Sequence, residues 1–268
     1  MNLCRASDVA ALKKPAKGSR KGENGVLLVV GGSKEYFGAP IHSLRAASFF
    51  VDLAFFSPFP ENNSLARKVK IANQDVIVVS DWRKAAERAD ALLVGPGLAV
   101  GAREKSLVDY CVGLGKPVVL DAGAIKLVSK DKLHSRVALT PHAGEFKNAF
   151  GLTVPKGVAA APVVKRVATE SGCNILLKNA GIDLITDGKQ VFLNKSGIPA
   201  MTKGGTGDVL AGLAAAFACR NDLLLSLRAA AYLNGAAARE LEKKRGWAFT
   251  ATDLAESVPD AYAGLLKK

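Results

Sequence analysis

The 268-residue chain is poor in cysteine, histidine, aromatic residues and long apolar runs. Its four cysteines are scattered and form no C-x-x-C pair, which argues against a zinc site and against a disulfide framework. No apolar run approaches the length of a helix that spans a bilayer. The first 25 residues also lack the apolar core of a signal peptide, so we expect a protein that stays in the cytoplasm, away from the membrane.

Positive charge is what the sequence has in excess, with a formal net charge of +13. Two classes of protein fit this charge: one that binds nucleic acid, and an enzyme that attracts anionic substrates. The basic residues are dispersed except in the tract 13–22, and aromatic residues make up only 6% of the chain. This pattern favours the enzyme with no nucleic-acid partner, and it predicts a basic leader over residues 1–24 whose tract 13–22 is solvated.

Short apolar runs alternate with helical patterns, which is typical of a parallel sheet covered by helices on both faces. The predicted strands lie at 26–32, 89–97, 116–123, 136–145 and 173–181. The predicted helices lie at 40–50, 82–89, 102–113, 143–150 and 158–171, with further helices over the last quarter of the chain and a closing one at about 251–266. Residues 183–194 resemble a hairpin around Asp187 and Gly188. The sequence therefore predicts one three-layer α/β/α domain over 1–268 with a mostly parallel central sheet, and ligands at the carboxyl ends of its strands.

The segment "KGGTGDVLAGL" (203–213) places glycines directly before a helix. It has neither the Walker pattern nor the spacing of the dinucleotide fingerprint. Glycines before a helix leave backbone N–H groups free, and the helix dipole adds positive charge, so Gly204, Gly205, Thr206 and Gly207 are predicted to form an anion hole. Asp208 beside it has two interpretations, a helix cap or a general base for a hydroxyl that attacks a phosphate.

Two further strand ends carry polar residues. In "LTPHAGEF" (139–146), His142 and Glu145 are either a capping arrangement with an exposed histidine, or a ligand contact and a water-mediated magnesium contact. In "LLKNAGIDLI" (176–185), Lys178 ends a strand and Gly181 allows a tight turn, so a nucleotide could lie along this backbone. The alternative for this segment is an ordinary strand, turn and strand.

Six segments in this order resemble the ADP- or ATP-dependent NAD(P)H-hydrate dehydratases, which have the ribokinase-like fold. They are "VLLVVGGSKEYFGAP", "ALLVGPGL", "VVLDAGAIKL", "LTPHAGEF", "LLKNAG" and "GIPAMTKGGTGDVLAGL". The resemblance covers most of the chain, without the epimerase domain to which such dehydratases are often fused. Directly before the glycines this chain has Lys203, where the family usually has a small residue.

This resemblance, not the spacing, implies the binding residues. The contacts to the hydrated nicotinamide nucleotide would be Ala39, Gly97, His142 and Asp208. The ADP segment would be Lys178, Asn179, Ala180, Gly181 and Ile182, with Gly207 near the phosphates. Glu145 would contact Mg²⁺ through water, in a variant of the superfamily's N-x-x-E element.

The reaction that the resemblance implies is an ADP-dependent dehydration of the S epimer of hydrated NADH or NADPH (NADHX or NADPHX), giving NAD(P)H, AMP and phosphate. It further implies ADP, or ATP, as phosphoryl donor, a homotetramer, and a partnership with an NAD(P)HX epimerase. The rival within this fold is a kinase for a vitamin precursor such as a hydroxymethylpyrimidine, although the histidine of "TPHAGEF" speaks against it.

Overall fold

A computed structural model describes residues 1–267 of the chain. Lys268, the last residue of the predicted domain, lies outside the described residues. The strands are β1 (Asn2–Leu3), β2 (Val26–Gly31), β3 (Leu53–Pro58), β4 (Val76–Val78), β5 (Ala91–Val94), β6 (Val118–Leu120), β7 (Val137–Leu139), β8 (Asn174–Leu177), β9 (Asp183–Thr186) and β10 (Val191–Asn194). The helices are α1 (Ala6–Ala10), α2 (Gly38–Ser48), α3 (Asn63–Ala72), α4 (Trp82–Arg88), α5 (Ala102–Gly113), α6 (Gly123–Leu127), α7 (Ala143–Phe150), α8 (Ala161–Ser171), α9 (Thr206–Ala218), α10 (Leu223–Arg245) and α11 (Ala251–Leu266).

The strands form one sheet in the order β1-β10-β9-β8-β7-β6-β5-β2-β3-β4. All neighbours are parallel except β9, which runs antiparallel to both β8 and β10. The strand order reverses between β2 and β5, so the loops after these two strands diverge and leave a crevice at the carboxyl edge of the sheet.

Two apolar clusters cover the two faces of the sheet. Successive residues of β2 alternate between them, with Leu27 and Val29 in one cluster and Leu28 and Val30 in the other. The first cluster packs the sheet against α1, α2, α3, α9, α10 and α11, and the second packs it against α4 to α8. The predicted three-layer α/β/α sandwich with a mostly parallel sheet is therefore confirmed, and so is the hairpin at 183–194.

The leader contains structure that the sequence analysis did not predict. The strand β1 pairs with β10 at the sheet edge, and Cys4, Val9 and Leu12 are buried in the first apolar cluster. The buried Asp8 forms an ion pair with Arg228 of α10. The predicted solvated tract, residues 13–22, is mostly exposed, whereas the residues before it are part of the fold. No helix of the described residues is long and apolar enough to cross a membrane.

The helix that follows the glycine segment is held against α2 by a close backbone contact. A methyl group added to Gly212 of α9 would lie 2.2 Å from the carbonyl oxygen of Ser43 in α2. The Ser43 hydroxyl also donates to the carbonyl oxygen of Asp208, at 2.9 Å. The position of Asp208 therefore depends on how closely these two helices approach.

We expect Gly212→Ala to lower the free energy of unfolding by about 1–3 kcal/mol, because two backbones would have to separate. The gain in helix propensity, roughly 1 kcal/mol, is too small to offset this clash. Gly264→Ala in α11 is the matched control, since nothing lies within 4 Å of an added methyl group. The control should be neutral or slightly more stable in chemical denaturation. Equal stabilities for both variants would contradict the close contact.

Candidate active site

Two cavities open at the carboxyl edge of the sheet. The first, of about 650 Å³, lies at the reversal between β2 and β5. It is lined by Ser33, Lys34, Glu35, Tyr36, Ala39, Gly97, Leu98, Ala99, Val100, Ala122, Gly123, Lys126, Glu145 and Asp208. The second, of about 610 Å³, lies beside β8 and β9. Its lining is His142, Lys178, Asn179, Ala180, Gly181, Asp183, Asn194, Gly197, Ile198, Pro199, Met201, Thr202, Thr206, Gly207, Leu210, Ala231 and Asn234.

The predicted residues divide between the two cavities. Three of the four that the resemblance assigns to the hydrated nucleotide line the first cavity: Ala39, Gly97 and Asp208. The fourth, His142, lines the second cavity. The predicted ADP segment lines the second cavity from Lys178 to Gly181, together with Gly207, whereas the Ile182 side chain packs in the second apolar cluster. The binding roles of these residues stay predictions.

The residues of the predicted anion hole lie at the start of helix α9. Gly205 precedes the helix with φ +93°, a conformation that favours glycine, and a methyl group there would lie 2.6 Å from Cβ of Ala251. Among residues 1–267, the N–H groups of Gly204, Gly205, Gly207 and Asp208 have no acceptor. Only the Thr206 N–H is weakly engaged, with Lys203 O at 3.4 Å. Free N–H groups at a helix N-terminus favour an anion.

The departure at Lys203 has a structural explanation. Its ammonium group donates to the carbonyl oxygens of Trp247 and Phe249, the latter at 2.8 Å, and lies 4.7 Å from the centre of the Phe249 ring. Lys203 therefore links the glycine segment to the loop between α10 and α11 by hydrogen bonds.

Asp208 is the third residue of α9, yet it does not cap the helix. Its carboxylate accepts no hydrogen bond from any residue within 1–267, so the capping alternative is wrong. Burial first, and then the negative charges of Asp121 and Glu145, raise the pKa of Asp208 to about 7 against the opposing effect of Lys178. A carboxyl group with this pKa can accept and release a proton near neutral pH.

Lys178 is the cation that lies between the acidic side chains of the site. Its Nζ lies 3.1 Å from Oδ1 of Asp121 and 3.9 Å from Oε2 of Glu145. Burial alone would lower the pKa of Lys178, but these carboxylates outweigh it and the pKa is raised. A methyl group on Gly207 would stand 3.3 Å from the same Nζ, so the ammonium group lies next to the anion hole.

Asp121 is the site residue that the sequence analysis missed. It is 2% exposed, follows β6, and accepts a hydrogen bond from the Thr140 hydroxyl at 2.7 Å. The next residue, Ala122, has φ +47°, which is strained for a residue with a side chain, and it lines the first cavity. The strand end "VVLDAG" was visible in the sequence, but its contact with Lys178 was not.

His142 and Glu145 do form the capping arrangement at the start of α7. The Nδ1 atom of His142 accepts from the N–H groups of Gly144 and Glu145, and Oε2 of Glu145 accepts from the His142 N–H at 2.9 Å. The His142 side chain is 60% exposed, as the capping interpretation expects. Capping does not exclude a ligand, because His142 also lines the second cavity.

No group of three or more His, Cys, Asp or Glu side chains within residues 1–267 has the geometry of a metal site. Mg²⁺ in nucleotide-using enzymes needs less protein, since one or two carboxylates with phosphates and waters usually hold it. The Glu145 carboxylate, 12% exposed and lining the first cavity, fits that requirement.

Comparison with known proteins identifies the family of this chain. The NAD(P)H-hydrate dehydratase family matches residues 27–260. The ADP-dependent (S)-NAD(P)H-hydrate dehydratase of Cenarchaeum symbiosum is 41% identical, over 90% of this chain and 89% of its own length. The bifunctional NAD(P)H-hydrate repair enzyme Nnr of Archaeoglobus fulgidus is 37% identical over 97% of this chain, which spans 55% of that relative.

A solved structure extends the likeness to the fold. The ADP/ATP-dependent NAD(P)H-hydrate dehydratase of Bacillus subtilis, co-crystallised with ATP and Mg²⁺, superposes with a TM-score of 0.84 at 26% identity, covering 98% of both chains. The ribokinase-like fold is thus confirmed over almost the whole chain. From the family match and the identity to its relatives, the chain belongs to the NAD(P)H-hydrate dehydratase family.

Proposed function

We propose that the protein is an ADP-dependent dehydratase that converts the S epimer of hydrated NADH or NADPH back to NAD(P)H, with AMP and phosphate as the other products. The observation that supports this proposal most directly is that two adjacent residues line the two different cavities. Asp208 lines the first cavity and Gly207 lines the second. A hydroxyl in the first cavity can therefore reach a phosphate held in the second.

The first step is a phosphoryl transfer to the hydroxyl on carbon six of the hydrated nicotinamide ring. The hydroxyl oxygen forms a bond to the terminal phosphorus of ADP, the bond from that phosphorus to the bridging oxygen breaks, and AMP leaves. Asp208 accepts the hydroxyl proton, for which its raised pKa of about 7 is suited. The free N–H groups of Gly204, Gly205, Gly207 and Asp208, together with the Lys178 ammonium group, stabilise the charge on the transferring group.

The second step is the loss of phosphate, which is a far better leaving group than hydroxide. The lone pair of the ring nitrogen expels phosphate from carbon six, and a proton leaves carbon five to water, which restores the dihydropyridine. When bound, Mg²⁺ neutralises phosphate charge. Glu145 and the nucleotide phosphates would be its ligands.

The size of the first cavity favours a dinucleotide over the rival substrate. A hydroxymethylpyrimidine would fill a small part of about 650 Å³. Two of the lining residues, Lys34 and Lys126, are cationic and suit the diphosphate of a dinucleotide. The net charge of +13 also favours the capture of two anionic ligands.

The test is the near-ultraviolet absorbance of the dihydronicotinamide ring, followed with purified protein, Mg²⁺ and S-hydrated NADPH. We expect a rise with ADP that needs both nucleotide and protein. ATP in place of ADP identifies the preferred donor in the same experiment. No rise with either donor, from folded protein that still binds nucleotide, would favour the vitamin-precursor kinase instead.

The proposal has consequences outside the site. The bifunctional relatives support a partnership with an NAD(P)HX epimerase, because a dehydratase specific for one epimer needs the other epimer converted. Assembly as a homotetramer stays a prediction from the resemblance, and location in the cytoplasm stays a prediction from the sequence's lack of a signal peptide. Sedimentation of the purified protein tests the first of these.

A further inference from the structure

A third cavity opens at the amino edge of the sheet, opposite the two cavities of the active site. It has a volume of about 310 Å³, and its lining includes Asn24 and Asp52, which precede β2 and β3. Helix α9 starts at the anion hole, and Phe217 in its last turn lines the third cavity. The 13 residues of α9, at about 1.5 Å per residue, put roughly 20 Å between the two sites. A ligand bound here is therefore separate from the substrates of the active site.

Aromatic side chains form one wall of the third cavity. Phe49 and Phe50 follow α2, Phe217 belongs to α9, and Tyr262 belongs to α11. The Phe50 ring meets the rings of Phe217 and Tyr262 edge to face, with centroid distances of 5.0 Å and 5.3 Å. Phe49 is 48% exposed and so is accessible to a ligand. Only 6% of the chain is aromatic, so four such residues around one cavity are a local concentration that suits a flat apolar ring.

The same cavity is also lined by cations. Lys13, Lys14 and Arg220 line it, and none of them forms an ion pair with a carboxylate within residues 1–267. Nη1 of Arg220 donates to the carbonyl oxygen of Lys14 and to Oδ1 of Asn24, the latter at 2.9 Å. Both acceptors are neutral, and the other N–H groups of the guanidinium are not buried and have no acceptor in the described part of the chain. These positive charges and donors are thus available to an anion.

The carboxylate in the lining does not neutralise these cations. Asp52 accepts hydrogen bonds from the N–H groups of Gly22 and Asn24, at 2.8 Å and 3.0 Å, and from Nδ2 of Asn24 at 3.1 Å. Among residues 1–267, the lining therefore has three cationic side chains and one carboxylate that is already hydrogen-bonded. This balance of charge favours a ligand with negative charge.

The two lysines are held at the cavity by the loop that follows α9. Leu12 is buried in the first apolar cluster, and the Lys13 N–H donates to Oδ1 of Asn221 at 3.0 Å. The carbonyl oxygen of Lys14 accepts from Arg220. The backbone at 12–14 is thus fixed, which lowers the ordering cost that a free tail would add to binding. The proposed function gives this part of the basic tract no role.

We propose that the third cavity is a binding site for a small aromatic anion, a system of one or two fused rings that carries a phosphate or carboxylate group. The rings pack against Phe49 and its aromatic neighbours, and Lys13, Lys14 and Arg220 bind the anionic group. A volume of about 310 Å³ lies at the lower end of the range for small-molecule sites, which fits a ligand of this size. The inference does not rest on the proposed function, because the site lies at the other end of α9.

The test is calorimetric titration of the purified protein with naphthyl phosphate, naphthoate, naphthol and inorganic phosphate. We expect naphthyl phosphate or naphthoate to bind at least about tenfold more tightly than naphthol, which has the rings without the charge. The same anion should exceed inorganic phosphate, which has the charge without the rings, by a similar factor. The better of the two naphthyl anions identifies the anionic group. Equal affinity for naphthol or for inorganic phosphate would overturn the inference, and so would a protein that binds neither naphthyl anion.

Substitutions at the cavity locate the binding event. Lys13→Gln/Lys14→Gln should bind the better naphthyl anion about tenfold more weakly, because two cations that bind it are lost. Phe49→Ala should also bind this anion more weakly, and its affinity for inorganic phosphate should not change. All three side chains are exposed, so we expect both variants to fold as the wild type does. A naphthyl anion that binds both variants as tightly as the wild type occupies another site, which would overturn the inference.

The matched control is Lys17→Gln/Lys21→Gln. It removes the same charge from the same basic tract, but neither lysine lines the third cavity. Its affinity for the naphthyl anions should stay within about twofold of the wild type, because salt screens exposed charges outside the cavity. An equal loss of affinity in both double variants would indicate a general attraction to the tract and would overturn the inference. The titrations use no hydrated nucleotide, so a failure of the proposed function leaves their outcome unchanged.

Discussion

Asp208→Asn should lower the rate of NAD(P)H formation by about 10²–10⁴-fold, the usual contribution of a general base. The amide has nearly the same size as the carboxyl group but cannot accept the hydroxyl proton. Binding of ADP should change little, because the anion hole is made of backbone N–H groups and the substitution leaves them in place. The measurement is the absorbance assay, together with the affinity for ADP. A variant with near-normal turnover would contradict the role of Asp208 as base.

The pH dependence of stability separates this role from capping. The pKa of Asp208 is higher in the folded protein, at about 7, than the ordinary value of 3.8. Between these values the folded state binds more protons than the unfolded state, so the contribution of Asp208 to stability falls as pH rises. Asp208→Asn removes this loss, and we expect the variant to be at least as stable as the wild type at about pH 8.

Asp253 is the matched control, since it is also the third residue of a helix. It accepts hydrogen bonds from the N–H and hydroxyl groups of Thr250, which lower its pKa. A group whose pKa is lowered by folding stabilises the folded state at pH values above its ordinary pKa, and this stabilisation is lost as the pH falls. Asp253→Asn should therefore destabilise the protein at neutral pH by about 1 kcal/mol and leave turnover unchanged, the opposite of Asp208→Asn.

Lys178→Met should lower the free energy of unfolding by about 3–5 kcal/mol, because it leaves buried carboxylates without their cation. The Asp121 side chain is 3% exposed and Lys178 is 22% exposed, so water compensates little of this loss. The double variant Lys178→Met/Asp121→Asn should recover part of the stability, since the buried charge is then removed. Denaturant titration of the single and double variants measures both effects.

A surface pair provides the comparison for Lys178. Lys105 and Asp109 lie 2.7 Å apart on α5, but the Lys105 side chain is 47% exposed. Lys105→Met should cost less than about 1 kcal/mol, as is usual for exposed ion pairs. If Lys178→Met cost no more than this, the pair with Asp121 would not be a buried stabilising contact.

The strands that the sequence predicted each contain an apolar run. Both faces of β2 are covered, so every residue from Val26 to Val30 is apolar, and no other strand within residues 1–267 has an apolar run of that length. The region 53–78 was not predicted, although it contains β3, α3 and β4. The helix α3 did have a signal, with Asn62 as its N-cap and Leu65 and Val69 on its buried side, and β3 begins with an apolar run. The edge strand β4 had little signal, because only the first of its three residues is buried.

The site was predictable where function depends on local backbone, and not where it depends on neighbouring strands. Gly205 stands out in the sequence because the start of α9 requires its positive φ of +93°. The contact of Lys178 with Asp121 depends on β6, β7 and β8 lying side by side, and the two residues are 57 positions apart. No local sequence pattern indicates which strands are neighbours in the sheet, so Asp121 was identified only as the end of a strand.

The pairing of β1 with β10 also sets the order of events during synthesis. Asn2 pairs with Phe192, so β1 must wait for a partner that is made about 190 residues later. At roughly 5–20 residues per second, that wait lasts on the order of 10–40 s. Over this time Cys4 and Val9 have no α10 to pack against, and the edge of the nascent sheet can close only when the last third of the chain emerges. We therefore expect the N-terminal segment to stay open to protease during translation for longer than β2 to β7, although it is made before them.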